Sequence, residues 1–194
     1  MVMRRTIGCI QTIFGGAPFV NKNVKHLLRL APLAKVFKNA HFLVVERALE
    51  DVALSVLRAR HESAGGAQNW WSAKPSNFLE LKNLPIPEQI AGQLISLKQQ
   101  LYRDLEALES QHSTIINYEH FCSDPESIVE ESRGKIKGLS CRGPAERKFT
   151  QSVNSAETPT ERQLVRVLSK LLQDEGVLQN LSVPLGTHDP CRGS

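Results

Sequence analysis

No stretch of this sequence approaches the roughly 20 consecutive apolar residues needed to cross a bilayer as a helix. Residues 1–13, interrupted by Arg4 and Arg5, are also too short of apolar length for a secretory signal. No run of five like charges marks a basic or acidic tail. Cysteine is scarce: Cys9, Cys122, Cys141 and Cys191 are too few for a disulfide scaffold, and no two have the Cys-x-x-Cys spacing of a zinc knuckle. These absences favour a reduced, cytoplasmic setting and a protein without a metal site.

What is present suffices for one sizeable core, since 41% of the 194 residues are hydrophobic. The net charge is +4, but it is spread unevenly. Residues 1–60 hold ten basic and three acidic side chains, 61–131 hold four and eleven, and 132–194 hold ten and six. Basic ends around an acidic middle point to a local anionic ligand rather than a long polyanion, so nucleic acid is not an expected partner. A solvated surface accounts for the same asymmetry equally well.

Strand and helix patterns alternate along the chain. Phe19 and Val20, after Gly15-Gly16-Ala17-Pro18, predict a short buried strand that ends in Asn21-Lys22-Asn23. Residues 24–37 have helical apolar spacing, with Pro32 bending or dividing the helix. The near-continuous apolar centre of residues 41–46 predicts a parallel strand covered on both faces, followed by a helix over 48–60. Residues 62–86, with Gly65-Gly66 and Trp70-Trp71, read as a long lid-like loop in which the tryptophans line a pocket or pack. A long helix from Pro87 to about Ser110 and a strand at 113–118 follow. Ser123-x-x-Glu126 and Thr158-x-x-Glu161 resemble capping boxes, each opening a further helix. Residues 138–157 read as irregular, and 175–194 as an irregular tail.

Alternating strands and helices imply a parallel sheet with ligands beyond the carboxyl ends of its strands. That topology singles out Lys22, Arg47 and Tyr118. Arg47 sits where a strand gives way to a helix, so its guanidinium either holds a phosphate or pairs with Glu50 or Asp51. Ser55, eight residues on, is within reach of the same phosphate or is an ordinary helix residue. Lys22 is equally a solvated strand end, and Tyr118 by itself reads as a core residue.

The run Phe37-Lys38-Asn39-Ala40-His41-Phe42-Leu43-Val44-Val45-Glu46-Arg47-Ala48-Leu49-Glu50-Asp51-Val52-Ala53-Leu54-Ser55-Val56-Leu57-Arg58 resembles the sulfotransferase segment F-P-x-A-x-F-I-x-x-x-R-D-P-R-D-V-A-L-S-L-L-R. Ala48-Leu49 departs from it by replacing Asp-Pro. Asn21-Lys22-Asn23 is similar to the Asp-Lys-Thr-Pro strand end of that family, and residues 117–126 to its Tyr-Glu-Asp-Leu segment followed by Asp-Pro-Glu. The resemblance covers residues 17–131. It implies one sulfotransferase-like domain over residues 1–194, with a three-layer parallel sheet, flanking helices and the P-loop nucleotide-transferase type of α/β fold.

By the same resemblance Arg47 and Ser55 hold the 3′-phosphate of 3′-phosphoadenylyl sulfate, and Tyr118 contacts adenine. Lys22 acts catalytically on the departing sulfuryl group, which passes to a hydroxyl or amine of a small molecule, glycan or peptide. Arg147 and Lys148 are similar to the basic pair of an Arg-Lys-Gly loop that holds the 3′-phosphate, with Phe149 where the glycine would stand, and residues 149–154 to a segment lying against the nucleotide. The family's Pro-x-Ser-Gly-Thr-Thr loop for the 5′-phosphosulfate has no counterpart. Thr6-Ile7-Gly8-Cys9-Ile10-Gln11-Thr12 lacks the basic and serine positions. The expectation is an N-terminally truncated sulfotransferase-like protein, the alternative being an inactive remnant that binds adenosine 3′,5′-bisphosphate only. An exposed sheet edge is expected to favour self-association.

Overall fold

The structure, a computed structural model, describes residues 2–108, 112–136 and 149–174. The elements are α1 (Val2–Ile13), a 3₁₀ turn (Val24–Leu28), α2 (Leu30–Val36), β1 (Phe42–Glu46), α3 (Leu49–Glu62), α4 (Phe78–Leu81), α5 (Ile86–Glu106), β2 (Ser113–Asn117), α6 (Tyr118–Ser123), α7 (Pro125–Lys135) and α8 (Pro159–Asp174). Helix accounts for 61% of the described residues, and the sheet has two parallel strands, with Phe42 opposite Ser113 through Glu46 opposite Asn117. The expected three-layer parallel sheet of the P-loop type is therefore wrong. No described helix is long and apolar enough to cross a membrane.

The packing of the helices explains why the sheet stays small. The stripe Leu164 and Leu168 of α8 closes against Ala53 and Leu57 of α3 and against Ile90, Ala91, Leu94 and Ile95 of α5. These helices cover one another instead of flanking a wide sheet. Each fully buried leucine here contributes about 1.5–3 kcal/mol. A second cluster joins Leu30 of α2, Val44 of β1 and Leu101 of α5, so α5 runs through both. At Gly92 of α5 an added Cβ would lie 2.6 Å from Leu81 Cδ2, which sets how closely α4 approaches.

The strand expected at Phe19-Val20 does not form, and both residues are exposed. Two apolar residues cannot build a ladder. On one side α1 ends in a Schellman turn, where Gly15 and Gly16, at φ 65° and 82°, donate to Thr12 and Gln11 carbonyls. On the other side Asn23 accepts the Lys25 N–H at 3.0 Å and caps the 3₁₀ turn. The division of the next helix falls at Arg29; Pro32 lies in the first turn of α2, where its missing donor costs nothing. Nor is β1 covered on both faces, because Leu43 and Val45 are 48% and 58% exposed.

The 62–86 loop is pinned rather than lid-like. Trp70 stacks edge-on against Phe78 at 4.7 Å, and Gln93 Nε2 donates to the carbonyls of Trp71 and Ala73, both at 2.8 Å. Ser72 between them has φ 73°, the conformation that turns both carbonyls toward one amide. Further on, the cap of α7 is Asp124, whose side chain accepts the Ser127 N–H at 3.1 Å, rather than Ser123.

The second capping box forms as written: Thr158 Oγ1 accepts the Glu161 N–H at 3.2 Å, and Glu161 Oε2 accepts the Thr158 N–H at 2.9 Å. Glu161 also receives Arg58 Nε at 2.8 Å and is buried. Arg58, then the backbone donors of Thr158 and Glu157, hold its carboxyl down at about pH 2 from an ordinary value of 4.5. A depressed carboxylate stabilises the fold above its unfolded value and loses that contribution as pH falls from about 4.5 toward 2. In urea titrations the stability advantage of the wild-type chain over Glu161→Gln should therefore shrink across this window. An advantage unchanged between pH 5 and 2.5 would refute the assignment.

Candidate functional site

The parallel register brings two residues together. Glu46 and Asn117 form the last pair, so Arg47 and Tyr118 are the first residues beyond the sheet on neighbouring strands. The Arg47 guanidinium carbon lies 4.7 Å from the centre of the Tyr118 ring, a cation–π contact. Both chains then turn into helices, α3 through Ala48 and α6 through Asn117, whose side chain accepts the His120 N–H at 2.7 Å. With Ala48 as its N-cap, α3 has no side-chain cap at its start.

The segment 149–157 lies as a strap along α3. Arg47 Nη2 donates to the Ser152 carbonyl, while the Ser152 N–H reaches the Tyr118 hydroxyl at 3.5 Å. Asn154 donates its backbone N–H to Asp51 Oδ1 at 2.6 Å and its Nδ2 to the Asp51 carbonyl at 3.1 Å. Toward the other end of α3, Arg58 donates to Asn154 Oδ1 and the Ser155 carbonyl, both at 2.8 Å. Phe149 closes the arrangement against Phe121, with ring centres 4.9 Å apart.

Arg47 is thus held by three groups of different strength. Its ion pair with Asp51 spans 3.5 Å, looser than the 2.7–2.9 Å of a charge-assisted hydrogen bond, and its Nε is buried without a partner. Of the two sequence readings of Arg47, the pair with Asp51 is present in this structure. The guanidinium fork matches the geometry of a phosphate as well as that of a carboxylate.

The remaining predicted residues are not gathered here. Ser55 is exposed on α3 and makes no hydrogen bond to Arg47. Lys22 is exposed in the stretch before the 3₁₀ turn, with no hydrogen bond or ion pair to Arg47 or Tyr118. Arg147 and Lys148 lie outside the described residues. Residues 6–12 are helical, so their N–H groups serve α1, and the Thr6 and Thr12 hydroxyls donate back to the carbonyls of Val2 and Gly8 at 3.2 and 2.9 Å. They form no phosphate-cradling loop.

A cavity of about 240 Å³ lies elsewhere, lined by Leu57, Arg58, His61, Glu62, Thr158 and Glu161. It is smaller than the usual 300–1,000 Å³ of a ligand pocket, and its lining includes none of the predicted site residues. Sequence reasoning missed Arg58 as the anchor of the strap. The only signal was indirect: a helical arginine with three polar groups about a hundred residues away has no local pattern to betray it.

No protein-family model matches the chain, and neither a curated protein nor a solved structure is found similar to it.

Proposed function

We propose that this chain binds adenosine 3′,5′-bisphosphate at its strand ends as a sulfotransferase-like remnant, rather than carrying out sulfuryl transfer by itself. The supporting observation is the contact of Arg47 with Tyr118, two residues far apart in sequence that the family resemblance assigns to the 3′-phosphate and the adenine. The Arg47 Nε is a donor without a partner, and the Ser152 carbonyl and Asp51 carboxylate that its guanidinium holds are the groups a phosphate would displace. The donor 3′-phosphoadenylyl sulfate has the same nucleotide end and would use the same contacts. The exposed, unengaged Lys22 weighs against catalysis.

Titration calorimetry with adenosine 3′,5′-bisphosphate and with AMP tests the reading. Adenosine 3′,5′-bisphosphate should bind at least about tenfold more tightly, since a charge-assisted phosphate contact is worth roughly 1.5–3 kcal/mol. Arg47→Ala should erase that preference. Asp51→Asn keeps an oxygen for the Asn154 N–H but removes the competing charge, and should tighten binding several-fold. Equal affinities for the two nucleotides would exclude a 3′-phosphate site at Arg47.

A further inference from the structure

Helix α1 has no buried residue, although half of its side chains are apolar. At 100° per residue Val2, Met3, Ile7, Ile10, Ile13 and the adjoining Phe14 fall on one side, while Arg4, Arg5, Gln11 and Thr12 fall on the other. Thr6, the one polar residue on the apolar side, has its hydroxyl satisfied by the Val2 carbonyl. Val2, Met3, Ile13 and Phe14 are 81%, 50%, 78% and 69% exposed. Such a face costs free energy in water and marks a docking surface.

Charge identifies what covers it. The helix carries two arginines and no acidic residue, and the first acidic residue of the whole sequence is Glu46, after seven basic ones. An apolar face about 18 Å long, backed by cations alone, has the chemistry of a helix lying in the headgroup plane of an anionic membrane. At 12 residues α1 is too short to span a bilayer. The Gly15-Gly16 turn ends the helix sharply.

We propose that α1 is an in-plane anchor that seats its Met3, Ile7, Ile10 and Phe14 face in an anionic lipid surface, with Arg4 and Arg5 on the headgroups. The test is co-sedimentation of the full chain, in about 0.1 M salt, with vesicles of phosphatidylcholine alone or with 30% phosphatidylglycerol. Partition should be at least about tenfold stronger with the anionic lipid, each arginine near the surface contributing about fivefold. Ile7→Asp/Ile10→Asp should abolish it, and Arg4→Glu/Arg5→Glu should lower it at least tenfold. Because α1 has no buried residue and Ile7 and Ile10 are only partly covered, neither pair of substitutions should move the thermal midpoint by more than a few degrees, which separates loss of docking from loss of folding.

Absence of partition, equal partition into both vesicles, or binding that survives both pairs of substitutions would overturn the proposal. So would concentration-dependent dimerisation without vesicle binding that Ile7→Asp/Ile10→Asp removes, which would assign the face to the acidic middle of a second copy.

Discussion

Arg60→Ala is expected to destabilise the protein by about 3–5 kcal/mol in urea unfolding, the largest loss from any single side chain at the loop that follows α3. Arg60 is fully buried, and among the described residues no carboxylate pairs with it. Burial pulls its pKa down, yet an arginine stays charged. Its two terminal nitrogens donate to amides, Gln89 Oε1 at 2.9 Å and Gln93 Oε1 at 3.3 Å, its Nε is buried without a hydrogen-bond partner, and its flat face lies 4.9 Å from the Trp70 ring centre.

The amides pass the bond onward. Gln89 Nε2 donates to the carbonyls of Lys82 and Leu84, and Gln93 Nε2 to those of Trp71 and Ala73. Removing the guanidinium orphans two buried oxygens, at about 1–3 kcal/mol each, and opens a void under Trp70. Arg60→Lys should recover only part of the loss, because an ammonium cannot fork to both glutamines in one plane. Apolar replacement of the three residues together should not rescue either, since the carbonyls of Lys82, Leu84 and Trp71 would then lose their side-chain donors and that of Ala73 would keep only Trp70 Nε1. A loss under about 1 kcal/mol for Arg60→Ala would show that the loop is not held this way.

Sulfuryl transfer by the unmodified chain is expected at background, at least 10²–10³ below an enzyme with a preorganised phosphate loop. Transfer needs preorganised donors on the departing phosphate and an acceptor aligned with the sulfur. Residues 6–12 spend their backbone donors within α1, and Lys22 stands apart from Arg47 and Tyr118. A labelled-sulfate assay over hydroxyl and amine acceptors, run beside Arg47→Ala, checks this. Robust turnover that the substitution removes would mean that some group outside these contacts supplies the missing cradle.

The parts of the fold legible in the sequence were those governed by local pattern. The strand at 42–46, the helices at 49–62 and 86–106 and the capping box at Thr158 and Glu161 follow from apolar period and cap chemistry. The width of the sheet does not, because whether a helix covers a strand or another helix depends on partners remote in sequence. Leu164 and Leu168 fit either arrangement and go to α3 and α5. Helix α1 was open to the same reasoning, since Met3, Ile7, Ile10 and Phe14 keep helical spacing. At the candidate site Arg47, Tyr118 and the Asp51 pairing were legible from position after a strand, whereas the strap was not, because irregular backbone has no period.

The two paired strands are separated by a long excursion: His41, just before β1, bonds to Thr114 of β2 across 73 residues at 2.8 Å. Closing a loop of that length costs on the order of 4 kcal/mol in chain entropy, more than a five-pair ladder repays unaided. The packing of α3 against α5, both inside that excursion, shortens the effective loop between the strands. The helical core acts as the clamp that holds the strand ends in register. A substitution deep in that core, touching neither Arg47 nor Tyr118, thus pulls the two apart by making their meeting entropically unaffordable.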